Sequence, residues 1–511
     1  MTVGLTRALD WVGVWSAPTR SENLEQRGEQ TWSGWLSKVP SHHWLALLLL
    51  MALGMWVRWR FIEGPMRYDE AFTVWRYSTN SFSAAVASYS TPNNHIFHTV
   101  LVHLAYRITG DMAPAIVRLP AFLGGVMLIP LGFATIGRLA GLTSGLVTAA
   151  AVAGSSALID FSVNARGYTL AAAISLLALA VVVEMRSRSE RAPWWALLVL
   201  ASLGALGLWT IPVFAYAWVP ILIWMSVPAK TRSWFVSARE SLVTGFASLA
   251  IAATLYAPAI INDGLAALAG NRFVESEPFG QFIDRQAMFL DGVQGIWTHN
   301  VPVFLVLAFV LGLLLAAWGL AGADVRSLAW SIFVGVVAVH LIVRATPPPR
   351  VWIIILPLVL GISAAGLGVV LDRTVVGRAS AGWFKATLAI AIGVSMTAAA
   401  VDAGRPLTGE SDGFIDAEAA ALVLEPLITE DSYVAAYGSS TAPLRYYFEL
   451  HGLPIRALRE PDHRPTRLFV VTAPDQDAQS VLERTNLDFV EGRLVLLAEY
   501  ESGVVWELDT D

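Results

Sequence analysis

Eleven apolar runs punctuate the chain, at about 43–60, 118–137, 146–161, 168–184, 194–212, 213–228, 241–259, 302–319, 327–343, 351–370 and 386–402. A helix needs roughly 20 predominantly apolar residues to cross about 30 Å of hydrocarbon. The chain therefore reads as a polytopic α-helical membrane protein with about eleven transmembrane helices. Composition agrees: 55% of the 511 residues are hydrophobic, only 14% are charged, and there are 20 Trp, more apolar surface than a soluble core can use. A net charge of −6 without any Lys/Arg-rich run excludes a nucleic-acid partner. The absence of Cys removes disulfides, thiolate metal sites and a Cys nucleophile.

Orientation follows from the short loops. Arg186, Arg188 and Arg191 fall on one side with Lys230, Arg232, Arg239, Arg373, Arg378 and Lys385, and the positive-inside rule makes that side cytoplasmic. Residues 1–42 are then a cytoplasmic N-terminal segment, polar, mixed in charge and without a signal-peptide pattern, so the first span is expected to stay as an anchor. Residues 43–402 form the transmembrane part. An odd number of spans puts 403–511 outside, where alternating patterns predict strands at 433–437, 468–471 and 494–500, helices at 417–427 and 478–484, and a closing hairpin through 501–506. A small α/β domain that folds as a unit is the expectation for this tail. The stretch 261–301 is expected to form short helices capping the membrane face.

The first outside loop, 61–117, carries Arg67-Tyr68-Asp69-Glu70 just beyond the first span. Carboxylates at the edge of the hydrocarbon stay ionised at little cost and can take a proton from a substrate at the membrane surface. Adjacent side chains diverge, so Asp69 is expected to be the base, with Glu70 orienting it or holding a metal. Farther along, His95 and His98 stand at helical spacing among Ile96, Val100, Leu101, Leu104 and Ile108, the pattern of an interfacial amphipathic helix. A divalent metal held by Glu70, His95 and His98 is one reading, and hydrogen-bonded surface histidines are the other. Tyr68, Trp75 and Tyr77 either stack on sugar or belong to an interfacial aromatic belt.

Arginines on the outside sharpen the reading. Arg166, in Asn164-Ala165-Arg166-Gly167-Tyr168, and Arg344 and Arg350, flanking Thr346-Pro347-Pro348-Pro349, break the usual avoidance of cations there. A guanidinium fork fits a lipid-linked phosphate at that depth; snorkelling to headgroups is the alternative. Asp160, at the end of the third run, is either a helix-end residue or half of an acidic site.

Taken in order, Asp69-Glu70 after the first span, Arg118-Leu119-Pro120-Ala121-Phe122-Leu123-Gly124-Gly125, Ile159 to Tyr168 and the Pro-rich loop at 346–350 resemble the GT-C superfamily of polytopic glycosyltransferases. The likeness covers roughly 43–370 and is greatest to the protein-mannosyltransferase and aminoarabinose-transferase branch, glycosyltransferase family 39. The resemblance implies inverting transfer of a sugar from a polyprenyl-phosphate donor to an extracytoplasmic lipid, glycan or protein acceptor. Asp69, with Glu70, would be catalytic, and Tyr68, Asn93, Asn94, His95, Asp160, Arg166, Tyr168 and Arg350 would bind substrate. The chain departs from the family at Asn93-Asn94-His95-Ile96-Phe97, where many members have His-Pro-Pro-Leu-Tyr, which leaves donor and acceptor preference open. A transporter would instead place ionisable groups near the bilayer midplane, and a non-catalytic scaffold is the other alternative.

Overall fold

The computed structural model describes residues 32–187, 191–229, 232–269, 275–375, 381–402, 414–459, 465–474, 476–485, 487 and 492–509. The segment 1–31, Arg188, Lys230, Arg378 and the start of the tail at 403–413 lie outside them. After a short helix at Trp32–Leu36 come α1 (Ser41–Phe61) and a loop that carries α2 (Tyr68–Thr73), a π-turn at Val74–Ser78, a short helix at Phe82–Ala87 and α3 (Ile96–Thr109). Next come α4 (Pro114–Ala140), α5 (Leu142–Gly154), α6 (Ser156–Ser162), α7 (Tyr168–Arg186), α8 (Trp194–Thr210), α9 (Ala215–Ser226) and α10 (Trp234–Asp263). The last membrane elements are α11 (Phe279–Thr298), α12 (Val303–Trp318), α13 (Ala323–Val343), α14 (Leu356–Thr374) and α15 (Ala381–Asp402).

Every expected apolar run falls on helix. Seven helices among the described residues are long and apolar enough to cross a membrane, or nine if each of two bent pairs is one crossing. The sequence count of eleven exceeds nine by two, and α8 and α9 are the shorter apolar helices that make up the difference. One bent pair is α11 with α12, turned by 114°. The segment expected to hold short caps contains one short helix, Leu265–Ala269, and one of 20 residues among the described residues.

The bundle is held by close approach rather than by bulk. Along α5 nearly every side chain is buried and small, and a methyl group added at Gly145 would come 2.9 Å from the Gly137 Cα of α4. Small residues let helix backbones touch where lipid offers no hydrophobic drive for association. At Ser155 the chain bends by 59° into α6, which frees carbonyls that a straight helix would bond. The fully buried Arg58 of α1 takes them, donating to Val152 O at 3.1 Å and Ala153 O at 3.0 Å, and also to Gly54 O and the Ser162 hydroxyl. A charged residue in a span thereby becomes the cap of a broken helix. The break aims the 163–167 loop, with Arg166, toward the first loop.

The tail folds as α16 (Ala417–Leu424), β1 (Ser432–Ala436), α17 (Thr441–Leu450), β2 (Arg467–Thr472), α18 (Ala478–Arg484), β3 (Arg493–Tyr500) and β4 (Gly503–Asp509). The sheet order is β1-β2-β4-β3, with β1 parallel to β2 and the rest antiparallel, so the expected α/β tail and its closing hairpin are present. Strand alternation splits its core. Tyr433, Ala435, Leu468 and Val470 pack with Val481 and Leu482 of α18. Val434, Phe469, Val471 and Val505 on the other face join α16, α17 and, in one continuous cluster, Met66, Ala71, Val74, Val102, Val117 and Ala165 of the membrane part. Half of the tail's core therefore belongs equally to the first loop.

Candidate active site

Glu70 organises the ground on which Asp69 stands. It occupies the third position of α2, from which a glutamate reaches back to the helix N-cap, and its Oε1 accepts from the Arg67 backbone N–H at 2.8 Å. Arg118, buried at the start of α4, donates to Oε1 at 2.5 Å and Oε2 at 3.1 Å, and also to the Ile62, Gly64 and Pro65 carbonyls. The Ala165 N–H completes the set at 2.7 Å from Oε2. Burial pushes the Glu70 carboxyl up, but Arg118, Arg67 and the Ala165 N–H outweigh it and hold Glu70 below its ordinary value. One carboxylate thus ties the loop after α1, the head of α4 and the 163–167 loop into a single knot.

Asp69 points the other way, as adjacent residues on a helix must. Its Oδ1 accepts from Asn93 Nδ2 at 2.9 Å, its Oδ2 from Arg350 Nη2 at 3.0 Å, and Arg166 Nη1 stands 3.8 Å from Oδ2. The carboxylate keeps 30% of its side-chain surface exposed, so it is half-buried rather than openly exposed. Burial raises its pKa, but Arg166, Arg350 and the Asn93 hydrogen bond together bring it below the ordinary aspartate value. Arg350 reaches it from the 3₁₀ helix Pro349–Ile354 that the Pro-rich loop winds into.

His95 and Tyr168 back this ring. His95 is buried, with Nδ1 2.9 Å from the Gly167 N–H and Nε2 3.1 Å from Arg166 Nη2. A neutral imidazole has one acceptor nitrogen, so only one of the two contacts is a hydrogen bond. Tyr168 meets the His95 ring edge to face. Burial, then Arg166, His98 and Arg350, drive the His95 pKa well below its usual value. One turn along α3, His98 is buried with neither nitrogen partnered among the described residues, and burial followed by Arg166 lowers its pKa to about 3.

Several sequence expectations change here. Glu70, His95 and His98 form no metal group: Glu70 spends both oxygens on the knot, His95 is packed against Arg166 and Gly167, and no cluster of three His, Asp or Glu able to hold a metal exists among the described residues. The histidines are not surface groups, because α3 turns His98 and His103 inward and leaves Leu104 and Ile108 exposed. Asn94 is structural: its amide donates to the Ala85 and Ser88 carbonyls and its oxygen accepts from the Thr99 hydroxyl. Asp160 is fully buried and paired with Arg67. Tyr68 stacks on Phe72 and faces the tail. Arg344 ends α13 in the left-handed region at φ 49°, its carbonyl accepting from the Glu277 N–H. The structure thus gathers Asp69, Asn93, His95, Arg166 and Arg350, with Tyr168 behind them. Sequence reasoning missed the scaffolding role of Arg118 and Arg67; an arginine entering an apolar helix was the available signal.

No family model matches the chain, and no curated protein sequence matches it. Among solved structures it is similar to the crystal structure of ArnT from Cupriavidus metallidurans in the apo state, at 15% identity and a TM-score of 0.59, over 90% of this chain and 97% of that one. The chain has the ArnT fold. The ArnT structure bound to undecaprenyl phosphate aligns equally broadly, over 92% of this chain and 98% of that one, with a TM-score of 0.55 at 15% identity. Alignment over nine-tenths of the chain spans both the helical bundle and the tail, so the likeness in fold is not confined to the membrane helices.

Proposed function

We propose that this multi-pass membrane protein is a glycosyltransferase that moves a sugar from a polyprenyl-phosphate donor to an extracytoplasmic acceptor with inversion, Asp69 acting as general base. The observation that carries this reading is the part-open Asp69 carboxylate held between Arg166 and Arg350 and steadied by Asn93. The ArnT that shares this fold has been crystallised with undecaprenyl phosphate, which makes a polyprenyl-linked donor the economical choice. In the reaction, the acceptor O–H or N–H attacks sugar C1, the C1–O bond to phosphate breaks with its electron pair leaving on the lipid phosphate, and the acceptor proton passes to Asp69. One displacement inverts C1 and needs no covalent intermediate.

The arginines have a second task. A carboxylate flanked by two guanidinium groups is a weak base, since the best catalytic pKa lies near the working pH. A donor phosphate that draws Arg166 and Arg350 toward itself stabilises the leaving group and frees Asp69 to accept a proton. The basic loops at Arg186, Arg232 and Lys385 belong to the end of the bundle opposite Asp69, so the N-terminus is assigned to the cytoplasm and the tail to the outside. The test is mass spectrometry of lipids carried through detergent purification, together with a transfer assay. A polyprenyl-phosphate species and turnover that vanishes in Asp69→Asn support the reading; an Asp69→Asn variant with undiminished transfer defeats it.

A further inference from the structure

Two cavities open where the tail meets the first loop. The larger, about 370 Å³, is lined by Trp75, Asn80, Tyr106, Arg445 and Glu449 among others. The smaller, about 180 Å³, is lined by Tyr68, Phe72, Trp75, Arg445 and Arg459, and no carboxylate lines it among the described residues. Trp75 and Arg445 wall both, the Arg445 guanidinium lying 3.8 Å over the Trp75 ring. Asp69, Asn93, Arg166 and Arg350 line neither.

The chemistry of the walls is asymmetric. Arg445 spends Nε on Glu449 at 3.3 Å, while its two Nη nitrogens meet no hydrogen-bonding partner among the described residues. The buried Trp75 indole N–H also lacks a partner among them. A buried donor left unpaired is costly unless a ligand or water satisfies it. In the larger cavity Arg445 and Glu449 balance, leaving amide, hydroxyl and aromatic groups suited to neutral hydroxyls. The smaller presents two guanidinium groups beside three aromatic faces. Aromatic faces accept the apolar face of a sugar ring, and guanidinium forks grip carboxylate or phosphate.

We propose that this double cavity is the acceptor-recognition site, taking a saccharide whose anionic group enters between Arg445 and Arg459 while its neutral rings occupy the larger cavity. The inference rests on the transferase reading, and it assigns the tail to substrate selection. Arg445 would then be a specificity-determining residue on α17, one helix away from the chemistry.

Probe binding to the full-length, detergent-purified protein tests it, by saturation-transfer NMR with digalacturonate, glucose 6-phosphate and cellobiose. The acidic probes are expected to bind at least about tenfold more tightly than cellobiose, and Arg445→Ala to lose that margin, with Arg445→Lys recovering part of it. Preference for digalacturonate identifies a carboxylate, and preference for glucose 6-phosphate a phosphate. The margin lost in Arg445→Ala belongs to this site, since neither Arg166 nor Arg350 lines it, so a failed transfer assay speaks only to the reaction and a failed probe assay only to this site. Equal binding of cellobiose and the acidic probes, or an Arg445→Ala variant indistinguishable from wild type, overturns the proposal. If Arg445→Ala does not fold, the exposed Arg459→Ala carries the test: acidic-probe affinity should fall several-fold, and an unchanged value overturns it equally.

Discussion

Asp69 and Glu70 are neighbours with opposite fates, and substitution should separate them. Asp69→Asn keeps the shape that Asn93 and Arg350 hold but removes the proposed proton acceptor, so turnover should fall on the order of a hundred- to ten-thousand-fold in a transfer assay while the thermal midpoint in detergent moves little. Glu70→Gln should do the reverse of a chemical lesion. It leaves the buried Arg118 charge without its partner, a change that costs about 3–5 kcal/mol, and differential scanning fluorimetry should show a large drop in midpoint. The two flanking arginines make a third case: Arg166→Ala and Arg350→Ala should each weaken donor binding by about 1.5–3 kcal/mol, and Lys should restore only part because it lacks the fork. Donor titration reads this directly, and wild-type affinity in both variants would make them anchors of the loop rather than phosphate ligands.

At the scale of the element, α3 carries a pH signature. His95 and His98 are held neutral in the fold, His98 with a pKa lowered to about 3 by burial and then Arg166, whereas an unfolded chain protonates histidine near pH 6.5. Groups whose pKa is depressed by folding contribute their full stability above the unfolded value and lose it as the pH falls. Thermal stability should therefore decline as pH drops from 7 to 5, and His98→Leu, which removes one titrating site and two unpaired buried nitrogens, should flatten that decline; an unchanged slope would place the acid sensitivity elsewhere. The amphipathic pattern predicted the helix, and the structure sets which residues of it pack inward. Leu104 and Ile108 lie exposed while Ile96, His98, Val102 and His103 are buried, so the histidines are packing groups and not surface ones.

The whole molecule is tied together by the tail. Tyr447 of α17 accepts the Met66 N–H through its hydroxyl at 3.1 Å, Tyr446 donates to the Met112 carbonyl at 2.5 Å, and one hydrophobic cluster runs from Phe469 of β2 to Ala71 of α2. Removing the chain after about residue 403 should therefore do more than take away the proposed acceptor site: backbone amides of 62–73 should exchange faster with deuterium, and turnover should be lost. A truncated protein with native exchange in α2 and full activity would make the tail a bystander. A reporter fused at Asp511 should read as extracytoplasmic; a cytoplasmic signal would mean an even number of crossings.

The sequence by itself determined the membrane helices, the α/β tail and the acid-bearing loop, because hydrophobic length, strand alternation and charge placed at a membrane edge are one-dimensional signals. It also singled out Asp69, Arg166 and Arg350 separately, since each violates what its segment would otherwise carry. Only the tertiary structure decided that these three meet at one carboxylate across 281 residues of chain. It also decided that Glu70 pairs with the buried Arg118 and Asp160 with Arg67, and that the unforecast helix α17 grips the first loop. Those outcomes depend on which carbonyls, carboxylates and guanidinium groups are left to satisfy one another once the helices pack. No local pattern encodes that pairing, because its partners lie far apart along the chain.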